Sequence, residues 1–114
     1  MEMHEIRYFL VLAEELNFTR AAERCNVSQP SITRAIKMLE LELGGPLFHR
    51  ERSKTHLSEL GRMMKPYLEQ VYNEAQNAKR RAAQFMNLEA DAASARPDVH
   101  HSARQSDRFH QSGS

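Results

Sequence analysis

Ser28-Gln-Pro-Ser-Ile-Thr-Arg-Ala-Ile-Lys-Met-Leu-Glu-Leu-Glu-Leu43 is the stretch on which the reading of this chain turns. Its ends carry helix signals. Ser28 is a good N-cap, because its hydroxyl can accept from the free N–H groups of a first turn. Pro30 falls inside that turn, where a missing N–H costs nothing. Gly44-Gly45-Pro46 follows, with glycine for a left-handed end and proline beyond it. Ile32, Ala35, Ile36, Leu39 and Leu43 form one narrow apolar stripe. Pro30, Thr33, Arg34 and Lys37 cluster on the opposite side, a short, polar, net positive face. A helix N-terminus at its end also attracts anions. Such a face suits a nucleic-acid groove, and it equally suits the solvated side of an ordinary helix. The flanking sequence decides.

Before this helix, residues 4–16 show apolar residues at helical spacing (Ile6, Phe9, Leu10, Ala13, Leu16). Asn17-Phe18 breaks the pattern. Thr19 is then the expected N-cap of a short helix from Arg20 to Cys25, in which Ala21 and Ala22 let a neighbour approach closely. Asn26-Val27 makes a tight connection to Ser28. Residues 18–37 thus read as helix, short turn, helix, with the polar face on the second helix. That is the helix-turn-helix arrangement, in which the first helix braces and the second enters the major groove. The competing reading is a generic helix pair in an all-α protein.

After Pro46 the period changes. Residues 47–50 and 55–57 read as two short strands, with Glu51-Arg52-Ser53-Lys54 between them, a small basic hairpin that would act as a wing. From Ser58 a long helix is expected, with Leu60, Met64, Tyr67, Val71, Ala75, Ala78, Ala82 and Phe85 near a heptad repeat, widened by Met63, Leu68 and Tyr72. From 58 to 86 it would run for about 40 Å, too far for the preceding domain to cover, so a partner helix is expected. Pro66 should kink it or end a first segment. Residues 87–114 lose the period, and 91–114 read as disordered.

Composition bounds the rest. The net charge is only +1 over 114 residues, so total charge does not mark a nucleic-acid binder. Its distribution says more: residues 1–19 balance to −3 and residues 20–54 to +3, so positive charge gathers around the polar-faced helix and the hairpin. One cysteine, Cys25, allows no internal disulfide, which suits a reducing compartment. Neither a signal peptide nor a membrane span is visible, so a cytoplasmic protein is expected. His100, His101 and His110 suggest metal ligation only weakly, and no metal or cofactor is expected. Cys25 reads as packing before it reads as a redox switch. Met63-Met64 reads as core or dimer seam. The chain has no interpretable set of nucleophile, base and orienting group, so an enzyme is not expected.

Residues 20–61 closely resemble the DNA-binding domain of LysR-type transcriptional regulators. The specific pieces are Phe18-Thr19-Arg20-Ala21-Ala22, Val27-Ser28-Gln29-Pro30-Ser31, Leu39-Glu40 with Leu43-Gly44, and Pro46-Leu47-Phe48 leading to Arg50. Leu57, Gly61 and Pro66 fit the entry to that family's linker helix. The resemblance covers residues 1 to about 86. It implies a mainly α fold: a winged helix-turn-helix over 1–57, and a linker helix over 58–86 that pairs two subunits. It implies dimers, often tetramers, on interrupted palindromic operators in double-stranded DNA. Ser28, Gln29, Pro30, Ser31, Thr33 and Arg34 would lie in or beside the major groove, and Lys37 would reach a phosphate. Arg50, Arg52, Ser53, Lys54 and Thr55 would lie at or near the wing.

Family members continue into an effector domain of two α/β subdomains that binds a coinducer, and nothing in 87–114 has that pattern. The expectation is therefore a sequence-specific regulator cut short before its sensor. Two other readings are an interaction protein forming mixed dimers with full-length relatives through the linker helix, and a gene fragment without independent function. Leu41 is a small departure, an apolar residue where the polar side should carry charge. Gln29 is suited to adenine and Arg34 to guanine, each pair giving about 1–3 kcal/mol of discrimination. The wing cations are suited to phosphate or minor-groove contacts that set affinity.

Overall fold

The computed structural model describes residues 1–95. The expected tail from 96 to 114, with His100, His101 and His110, lies outside the described residues. The element order is α1 (Met3–Glu15), α2 (Phe18–Cys25), α3 (Gln29–Leu43), β1 (Phe48–Glu51), β2 (Lys54–Leu57) and α4 (Glu59–Ala95). The chain divides into two compact units, Met1–Ala75 and Gln76 onward.

In the first unit, three helices and the base of the hairpin enclose one core. α1 contributes Ile6, Phe9 and Leu12, α2 contributes Ala21, Ala22 and Cys25, and α3 contributes Ile32, Ile36 and Leu39. Leu47, Phe48 and Leu68 complete it. The buried stripe of α1 differs from the expected one. Leu12 is fully buried, while Leu16 is 40% exposed, because Leu16 leaves the helix in the left-handed conformation (φ 52°). α3 ends as its sequence indicates: Gly44 has φ 94°, a conformation glycine takes without strain, and its N–H donates to Glu40 O at 2.8 Å.

Three expectations need correction. Asn17, not Thr19, caps α2: its Oδ1 accepts from Arg20 N at 2.9 Å. Both residue types cap well, but only the side chain ahead of the first turn can reach its free donors. Of the two outcomes expected at Pro66, a kink or an end, the end does not occur: α4 continues through it. Pro66 is exposed, so water can satisfy the carbonyl left without its N–H partner. Helix also continues beyond 86 to Ala95. The run from Asn87 to Ala95 has no apolar period, yet its Leu, Glu and Ala residues extend an already nucleated helix at little cost.

The wide stripe read for α4 divides within the first unit. Leu68 is buried, with Leu60, Met64 and Tyr72 packed against the core at spacings of four. Met63, Tyr67 and Val71, also four apart, are exposed at 57%, 60% and 43%. In the second unit the described part is helix, and Phe85, Met86 and Leu88 are exposed.

β1 and β2 pair antiparallel, with Phe48 opposite Leu57, His49 opposite His56, Arg50 opposite Thr55 and Glu51 opposite Lys54. Arg52 and Ser53 form a two-residue turn with φ of 49° and 65°. Positive φ at both positions is the type I′ geometry that matches strand twist. Among the described residues, no helix is long and apolar enough to cross a membrane.

Candidate nucleic-acid interface

α3 presents its polar face because its apolar face is fixed. Ile32 and Leu39 are fully buried against α1 and α2, which commits the opposite side to solvent. Gln29, Pro30, Thr33 and Arg34 together line one open concavity at the start of the helix. Lys37 is exposed one turn further on. Ser28 Oγ accepts from Ser31 N at 3.3 Å and lies 2.9 Å from Ser31 Oγ, so these two hydroxyls serve the helix end first. Thr33 Oγ1 donates back to Gln29 O at 3.2 Å. Gln29, Arg34 and Lys37 are therefore the long polar side chains this face offers.

Arg34 also borders a second groove, between α1 and α3, lined by His4, Tyr8, Ser31 and Met38 among others. The His4 and Tyr8 rings meet edge to face at 5.5 Å. Neither residue belongs to the expected site. Both come to it through the packing of α1 across α3, which no local motif encodes.

On the hairpin, Arg50, Arg52, Ser53 and Lys54 are exposed. Arg52 and Ser53 occupy the turn, and Lys54 stands opposite Glu51. Thr55 is only 8% exposed and leaves the expected contact set. It shares the inward face of β2 with Leu57, as the two-residue period of a strand requires. The Arg50 guanidinium lies over the Phe18 ring, 4.5 Å from its centroid. Thr19 Oγ1 donates to Gln29 Oε1 at 3.4 Å. The opening turn of α2 thus touches one side chain from α3 and one from the wing.

Arg24 binds Glu14 Oε1 at 2.7 Å and Glu15 Oε2 at 3.0 Å, which raises its pKa and ties α2 to the end of α1. Cys25 is buried, and desolvation raises its thiol pKa against the opposing influence of Arg7 and Arg24. The shift favours the neutral thiol over the thiolate.

A buried-backed helix with an exposed polar face, a bracing helix before it and a basic hairpin after it define a winged helix-turn-helix DNA-binding domain. Comparison with known proteins agrees. The family described as bacterial regulatory helix-turn-helix protein, lysR family, matches residues 3–62. The chain is 40% identical over 86 residues to the Hca operon transcriptional activator HcaR of Escherichia coli (strain K12), covering 75% of this chain and 29% of that one. It is 53% identical over 62 residues to the regulator CatR of Pseudomonas putida, covering 54% of this chain and 21% of that one. The crystal structure of a CbnR DNA-binding domain in complex with DNA superposes with a TM-score of 0.70 at 31% identity, over 75% of this chain and 99% of that one. The chain belongs to the LysR family and carries its helix-turn-helix DNA-binding domain. It spans less than a third of the length of these two curated relatives.

Proposed function

We propose that the protein is a sequence-specific transcriptional regulator that reads operator DNA with α3 and grips the flanking backbone with its wing. The carrying observation is the open face on which Gln29, Pro30, Thr33 and Arg34 converge, backed by a buried apolar stripe that leaves the helix no other orientation. Gln29 and Arg34 are the base readers, while Ser28, Ser31 and Lys37 support the helix end or reach phosphates. Arg50, Arg52, Ser53 and Lys54 make the wing contacts, which govern affinity more than sequence preference. The role is binding rather than catalysis.

Two copies act together through α4 on an interrupted palindrome. The exposed row Met63, Tyr67 and Val71 supports this, since an apolar stripe on a helix is stabilised by a partner. The same row would admit a full-length relative, which favours mixed dimers as the second reading. Work at operators puts the protein in the bacterial cytoplasm, on the nucleoid when bound.

The test is a fluorescence anisotropy titration against duplexes selected from a randomised pool and against random duplexes, across a salt series. Tighter binding to selected duplexes, falling as salt rises, is expected. Equal affinity for both, or indifference to salt, would overturn the reading. Co-purification with a tagged full-length relative, in place of self-association, would favour the mixed dimer.

A further inference from the structure

We propose that the first turn of α2, Phe18-Thr19, is a positioning platform that sets the wing and the recognition helix for the same DNA molecule. This rests on the DNA-reading function proposed above. Phe18 holds Arg50, and Thr19 holds Gln29.

Asn17 supplies the α2 cap, so the Thr19 hydroxyl is not consumed by the helix end. It turns instead to the first residue of α3 and donates to Gln29 Oε1 at 3.4 Å. Phe18 is half-buried, with one side packed against the core. The guanidinium of Arg50 sits over its ring at 4.5 Å, well inside the range of a cation–π contact. Consecutive residues of one helix therefore touch the side chain that begins the recognition helix and a cation on β1.

Each contact removes freedom that DNA binding would otherwise have to remove. A free arginine or glutamine samples many rotamers and loses them on binding, whereas a held one has lost part already. Arg50 keeps its N–H donors while its flat face rests on the ring, so stacking and phosphate binding are compatible. The Gln29 oxygen keeps a second lone pair and its nitrogen keeps both hydrogens. Thr19 therefore leaves Gln29 able to bond a base while restricting where its amide sits. An amide held in one place meets one base pair, so its loss is felt at that position.

The two halves give different signatures. Phosphate contacts change affinity for all sequences alike, and base contacts change preference at one position. Phe18→Leu keeps an apolar side chain but removes the ring. It should weaken binding to selected and random duplexes alike by about two- to five-fold, with Phe18→Tyr near wild type. In an Arg50→Ala background, Phe18→Leu should add nothing. Thr19→Ala should reduce discrimination by about two- to ten-fold at the base pair that Gln29→Ala also flattens, and Thr19→Ser should restore it.

The experiment is selection from a randomised duplex pool, followed by anisotropy titrations of these variants, with urea unfolding to confirm that each is folded. A loss from Phe18→Leu that is equally large with and without Arg50, or a Thr19→Ala profile identical to wild type, would overturn the proposal. No enriched sequence for the wild type would overturn the regulator reading itself. Clear enrichment, with Gln29→Ala and Arg50→Ala both silent, would leave that reading standing and remove the platform.

Discussion

Gly61→Ala is a sharp test of how the wing is anchored. Gly61 lies in the first turn of α4, where its N–H donates to Ser58 Oγ at 2.9 Å. Ser58 Oγ donates in turn to Pro46 O at 2.6 Å, and Ser58 N to Leu47 O at 2.9 Å. These bonds clamp the start of α4 to the chain entering β1. A Cβ on residue 61 would stand 2.3 Å from Leu47 O and 2.8 Å from Leu57 Cδ2. Leu57 could swing aside, but Leu47 O belongs to the backbone and would have to retreat by roughly 1 Å, taking the Ser58 bond with it. Overpacking costs about 1–3 kcal/mol, and the hydrogen bond adds about 1 kcal/mol. Against this, alanine favours a helix interior over glycine by about 1 kcal/mol. The net loss is about 1–3 kcal/mol, which for a domain of this size lowers Tm by roughly 5–20 °C. Urea unfolding followed by circular dichroism at constant m-value measures it. Gly45→Ala is the control: its Cβ would meet only the mobile tip of Leu60, Cδ2 at 3.2 Å. A Gly61→Ala protein as stable as wild type would refute the clamp.

The cap assignment predicts that Asn17→Ala loses about 1 kcal/mol while Thr19→Ala, which leaves the cap intact, stays within about 0.5 kcal/mol of wild type; urea midpoints separate them. Ser53→Gly should stabilise the hairpin by about 0.5–1 kcal/mol, since Ser53 holds φ at 65° where glycine is unstrained; an unchanged thermal midpoint would count against that turn. Burial raises the Cys25 thiol pKa, so the folded chain favours the neutral thiol. That stability is fully present below the unfolded thiol's pKa and is lost as pH rises through the folded value, so urea midpoints should fall in the alkaline range and Cys25→Ala should flatten the slope. Iodoacetamide labelling of Cys25 should likewise be slow until the domain unfolds.

Sequence and structure agree where the signal is local. α3 has a cap, a proline, a stripe and a glycine, all within seventeen residues, and Ser28 to Gly44 is where the helix forms. The hairpin was legible from its change of period, although its strands run one residue further into the loop on each side than the apolar runs indicate. Turn geometry accounts for this. A type I′ turn needs only two residues, and Arg52 and Ser53 supply them without the usual Asn-Gly signature. Thr55 could have been placed inside from the start, since Leu57 faces the core and a strand repeats every second residue.

The features that sequence alone does not determine depend on contacts between distant residues. On α4, composition indicates a broad apolar stripe but not that Leu60, Met64, Leu68 and Tyr72 are used up by the chain's own core while Met63, Tyr67 and Val71 are left over. The division is set by the packing of the first unit and cannot be derived from the heptad spacing, which assigned Leu60, Met64, Tyr67 and Val71 to one seam. It narrows the apolar surface available to a partner from the first unit to a single row.

The cap of α2 raises the same issue with functional weight. Asn17 and Thr19 are both capping residues two positions apart, and propensity alone cannot choose between them. With Asn17 as the cap, Phe18 becomes helical, the Thr19 hydroxyl is released, and both side chains face other elements. Had Thr19 been the cap, its hydroxyl would have been spent on the helix end and Phe18 would have lain outside α2. The choice of cap therefore bears on whether α3 and the wing work as separate contacts or as one surface. α3 does not position its leading glutamine unaided; it shares that task with the first turn of α2.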